Sequence, residues 1–94
     1  MNVPNQVLDV NKINDYGKTQ KRTLMLKEDG IATMKGSKTQ RFVNYEEITG
    51  ITYNIDDENA EFIIHNITGD LRFVCEDQYD LRLKLNYLKE RFEQ

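Results

Sequence analysis

The chain has no tryptophan and only one cysteine, one proline and one histidine in 94 residues. Each scarcity excludes something. A lone Cys75 cannot close an intrachain disulfide, so nothing signals a stapled secreted scaffold. A lone His65, with no cysteine or carboxylate at ligand spacing, offers no metal site and reads as a solvent-facing strand residue. The single proline, Pro4, falls in residues 1–5 (MNVPN), which read as a flexible tail. No apolar run is long enough for a membrane span or shaped like a signal peptide, which implies a cytoplasmic address. The sequon Asn66-Ile67-Thr68 then reads as chance. Phosphate-cradling glycine loops are absent, and no Ser-His-acid arrangement is apparent. The acidic run Asp56-Asp57-Glu58 with Asp70 lacks the glycine and terminal glutamate of a calcium loop and reads as a solvated turn. No cofactor is expected, and a non-enzymatic protein is.

What remains suffices for one domain over residues 6–94. Hydrophobic residues make up 38%, and five tyrosines and four phenylalanines supply bulk for a modest core. The formal charge is −3, but it is unevenly spread. Residues 1–50 carry eight Lys/Arg against six Asp/Glu, and residues 51–94 carry five against ten. Such a domain can present a basic face despite an acidic total. It does not suit nucleic acid, which favours a strongly basic chain.

Short apolar segments follow one another between turn signals. Residues 6–13 (QVLDVNKI) predict a first strand. Asn14-Asp15-Tyr16-Gly17 is turn chemistry. Residues 21–27 alternate, with Leu24 and Leu26 on one face, and predict a second strand. Glu28-Asp29-Gly30 predicts a hairpin turn with glycine at a position tolerating positive φ. Residues 31–35, 41–44, 48–55, 60–67 and 71–75 predict five more strands, with a bulge at Gly50. Past Val74 there is no Val, Ile, Thr, Gly or Pro. Asp77 can cap a helix, and Leu81, Leu85, Leu88 and Phe92 lie on one helical face. Asp80–Lys84 and Lys89–Glu93 are spaced as i,i+4 ion pairs. A helix over 77–92 is predicted.

Seven antiparallel strands in so short a chain must bend into packed sheets or a barrel, with the helix covering one end. This order resembles the pleckstrin-homology superfold from Val7 to Phe92. QKRTLMLKEDGIATM is similar to the hairpin of its second and third strands, and NYEEITGITY to its corner between the fourth and fifth. Compact variants such as the tail-homology domains of class I myosins share this phrasing. The resemblance implies a mainly β, seven-stranded bent antiparallel barrel capped by one helix. It also implies a targeting module, commonly part of a larger protein.

On that topology the turns after the first and third strands share one open end. Lys12, Lys18, Lys21, Arg22, Lys35, Lys38 and Arg41 would gather there as a basic rim for an anionic membrane surface or phosphoinositide. Lipid-binding members resemble a pattern of Lys, then a basic residue, any residue and Arg. Lys12 and Arg22 fit its outer places, while Gln20 takes the middle one without charge and Lys21 alternates to the other face. The alternative is a protein-interaction module, using the edge of the fifth strand or an outer helix ridge of Tyr79, Leu83 and Tyr87, for a protein partner or neighbouring domain. The isolated chain would be a monomer.

Overall fold

The computed structural model describes residues 6–56 and 60–92. The expected tail, most of the acidic turn, the Phe92 side chain and the Lys89–Glu93 pair lie outside what is described. The strands are β1 (Gln6–Ile13), β2 (Thr19–Leu26), β3 (Gly30–Lys35), β4 (Lys38–Asn44), β5 (Ile48–Ile55), β6 (Ala60–Asn66) and β7 (Leu71–Val74). A single 3-10 turn, η1 (Tyr45–Glu47), joins β4 to β5, and α1 (Gln78–Phe92) follows β7. All pairings are antiparallel, and the order is β4-β3-β2-β1-β7-β6-β5. The expected mainly β fold with a C-terminal helix is thus present. The barrel is one open sheet, because no ladder among the described residues joins its edge strands β4 and β5.

The sheet curls because all seven strands contribute to one core. Leu8, Leu24, Ile31, Val43, Ile48, Phe62 and Leu71 share a single buried cluster. Period-two alternation puts these side chains on the concave face. Phe62 and Phe73 lie at its centre, stacked with centroids 5.2 Å apart. Leu81, Leu85 and Leu88 of α1 complete the cluster. Asp77 starts the helix as expected, its Oδ1 accepting the Asp80 N–H at 2.9 Å. Asp80 and Lys84 pair at 3.2 Å.

Turns decide which end stays open. Gly36 begins the two-residue β3–β4 turn at φ 61°, and Gly17 ends the β1–β2 turn at φ 80°, conformations that favour glycine. Antiparallel pairing places the β1–β2 and β3–β4 turns at one end, and the β6–β7 turn runs alongside β4, its Ile67 N–H donating to the Glu47 carbonyl of η1 at 3.1 Å. The β2–β3 turn and η1 lie at the other, tied by the Tyr45 N–H to the Asp29 carbonyl. The hydroxyl of half-buried Tyr45 donates to the Lys27 carbonyl, and this partial burial pushes its pKa up to about 12. Helix α1 packs against β1 and η1 and so covers that second end.

Gly30 corrects the expectation from sequence. It stands in β3 and is not among the positive-φ glycines. Space requires it: a Cβ there would collide with the Val43 carbonyl oxygen and lie 2.7 Å from a Phe42 ring atom. Backbone cannot yield as a flexible side chain does. Gly30→Ala is expected to cost about 3 kcal/mol in urea unfolding. A loss within about 0.5 kcal/mol would show that β3 and β4 separate easily here.

Candidate functional site

The open end is built by the polar tips of β1 to β4. Lys12 alternates with Leu8 and Val10, and Arg22 alternates with Leu24 and Leu26, so both belong to the concave face. Lys35 follows Ile31 and Thr33 on that face, and Lys38 pairs directly with Lys35. Arg41 pairs with Thr33 across the β3–β4 ladder. One step beyond the Thr23–Met34 pair, the register puts Arg22 beside Lys35. Arg22, Lys35 and Lys38 therefore form one cationic row over three strands. Like charges placed directly opposite on a sheet oppose its stability.

Arg22 folds back, its Nη1 donating to the Lys21 carbonyl at 2.6 Å and its Nη2 to Gln20 Oε1 at 3.4 Å. Arg41 Nη2 reaches the β6–β7 turn and donates to Thr68 Oγ1 at 2.7 Å. That turn is a third wall of the rim which the sequence reading had omitted. Asn66, 7% exposed, lies at its start, which leaves the sequon's amide buried. The concave-face strand positions among the described residues hold no carboxylate; Asp9 and Glu61 alternate to the convex face. None of the rim cations forms an ion pair with a described residue.

Two of the seven expected cations stand apart from this group. Lys21 pairs with Asn11 on the convex face, as alternation requires. It opens onto a cleft of about 550 Å³ that Arg22 also lines, with Asp9, Thr23, Glu76, Asp77 and Asp80 among the other walls. Lys18 is in the β1–β2 turn, where its N–H donates to Asn14 Oδ1 at 3.0 Å. Cys75 is buried, its Sγ 3.3 Å from the Asp77 carbonyl oxygen, and burial pushes its thiol pKa up.

The helix ridge is shorter than expected. Tyr79 is 74% exposed and Leu83 50%, but Tyr87 is half-buried against the core with Arg91 over its ring at 4.9 Å. At 100° per residue, Tyr87 lies only about 100° from Leu88, on the boundary of the buried face. Leu83→Ser is expected to change stability by under about 0.5 kcal/mol, and Tyr87→Ser to cost about 2 kcal/mol, in parallel denaturant titrations. Equal costs would contradict this placement. On the concave side, a groove of about 240 Å³ runs between β5 and α1, lined by Tyr53, Ile55, Arg82, Leu85, Asn86 and Lys89. Lys89 Nζ donates to the Tyr53 hydroxyl at 3.0 Å and lies 4.7 Å from its ring centroid, which lowers the phenol pKa.

The sequence reading missed one further group. Strand pairing brings Thr52 of β5 within 2.7 Å of His65 Nε2, and His65 Nδ1 lies 3.1 Å from Asp70 Oδ1. His65 is thus hydrogen-bonded on both nitrogens and is not a bare surface residue.

The chain matches no family model and no curated protein sequence. Among the described residues no helix is long and apolar enough to cross a membrane.

Proposed function

We propose that the chain is a pleckstrin-homology-like targeting module that contacts anionic phospholipids through its basic rim. One observation carries this reading: Lys12, Arg22, Lys35, Lys38 and Arg41 share the concave face toward the open end, and among the described residues no carboxylate occupies a concave-face strand position, Asp15 and Asp70 standing in the turns. Adjacent like charges cost stability, and a multiply charged head group would offset that cost with charge-assisted hydrogen bonds. The module acts at the cytoplasmic side as a peripheral, monomeric binder without nucleic acid or cofactor. Liposome co-sedimentation tests the reading, with and without phosphoinositides, at two salt concentrations. Binding that weakens steeply with salt supports it. No sedimentation at low salt refutes it.

The β5–α1 groove favours a second reading, as a protein-interaction module. Among the described residues β5 is an edge strand with one side outside any ladder, and the groove beside it carries Arg82 and Lys89. An acidic peptide adding as a strand would find both features. Titration with such a peptide, read by backbone shifts confined to β5 and α1, separates this reading from the first.

A further inference from the structure

We propose that Thr52 is a His65-activated hydroxyl that accepts an acyl group from small activated esters, at a site on the convex face of β5, β6 and β7. Thr52, His65 and Asp70 form a continuous hydrogen-bonded chain: hydroxyl to Nε2 at 2.7 Å, and Nδ1 to carboxylate at 3.1 Å. A neutral imidazole has one donor and one acceptor nitrogen. Asp70 can only accept, so Nδ1 carries the hydrogen and Nε2 is left as the base facing Thr52. This is the nucleophile, base and orienting carboxylate in sequence of contact.

The surroundings add what acyl transfer needs. Thr52, Ile63 and Arg72 lie in one row of the β5–β6–β7 ladder. A concavity of about 70 Å³ opens over that row, lined by Thr52, Ile63, Ile13 and Arg72 together with Asn54 and the Glu61 carboxylate. A water molecule's share of liquid is about 30 Å³, so the space suits an acyl group of acetyl size. Isoleucine side chains receive its methyl group. Arg72 supplies a guanidinium for the oxygen that becomes negative as the carbonyl carbon turns tetrahedral. Thr52 and His65 lie on the convex face, opposite the concave cationic row, and only the β6–β7 turn that carries Asp70 is common to both.

The step balances. Thr52 Oγ1 bonds to the carbonyl carbon as its proton passes to His65 Nε2, and the ester C–O bond breaks as that proton moves on to the leaving oxygen, which releases the alcohol or phenol and restores neutral His65. Water then adds to the acyl carbon with His65 as base, and Thr52 leaves with the returned proton.

The test uses the full chain and p-nitrophenyl acetate, reading p-nitrophenolate release and the acetylated peptide by mass spectrometry. Wild type is expected to carry acetyl on Thr52. Thr52→Ser keeps the adduct, and Thr52→Val loses it. His65→Gln slows release at least about a hundredfold, the lower range for removing a general base. Asp70→Asn, a positioning change, lowers kcat with KM unchanged. All four substitutions lie outside the buried core, and circular dichroism checks that each variant is folded. The proposal is overturned if Thr52→Val releases phenolate at the wild-type rate, since imidazole would then act alone. It is equally overturned if acetyl is found only on lysines.

Discussion

Replacing Arg22 and Lys38 together by Glu is expected to abolish sedimentation with anionic vesicles while the domain stays folded. Each basic residue near an anionic surface contributes roughly 1 kcal/mol, so a change of four charges removes about 4 kcal/mol, or roughly a thousandfold in affinity. Lys38 is exposed and Arg22 half-exposed, and neither is ion-paired with a described residue, so little folding energy is lost. Reversal even relieves the like-charge row with Lys35. A paired control uses the other face. Lys21→Glu changes net charge by two units but sits on the convex side, and its effect is expected to be far smaller. If Lys21→Glu weakens binding as much per charge, general electrostatics governs and the concave rim has no special part.

The second large effect belongs to the core. Phe62→Ala is expected to cost about 4 kcal/mol, the usual range for emptying a buried aromatic site. Phe62 is 1% exposed, stacks on Phe73 and pairs with both Phe73 and Tyr53 across its neighbouring strands. A domain of this length holds roughly 5–14 kcal/mol in total, so one substitution removes roughly 30% or more of it. Melting temperature should fall by roughly 20 °C. A fall of only a few degrees would mean that the sheet does not close around this ring.

The sequence carried most of the fold for a physical reason. Buried strands announce themselves by alternation, and Leu24–Leu26, Phe62–Ile64 and Leu71–Phe73 keep strict period two. The helix followed from the loss of β-branched residues past Val74. Errors gathered where no apolar side chain marks the register. Thr19, Gln20, Lys38, Thr39 and Gln40 extend β2 and β4 beyond the expected limits through backbone pairing alone. Gly30 was misread because a steric demand from Val43 and Phe42 leaves no local signal. Five of the seven rim cations could be placed on one face once strand phase was known. The Thr52–His65–Asp70 chain could not, because it depends on the bulged β5–β6 register and on where a turn returns Asp70.

The position of β1 between β2 and β7 has a consequence for how the chain assembles. Five of the six ladders among the described residues join strands that are neighbours in sequence, and such local closures are fast. The ladder of Asn11, Lys12 and Ile13 with Val74, Phe73 and Arg72 is the exception, since it joins the first strand to the last. Neither half of the sheet gains its partner until that ladder forms. High contact order of this kind sets folding on roughly the millisecond-to-second scale. During translation at about 5–20 residues per second, the β1–β4 meander waits seconds for β7 to be made. Through that interval the β1 edge and the concave apolar face stand open, so the nascent chain is most exposed to wrong pairing before its seventh strand exists.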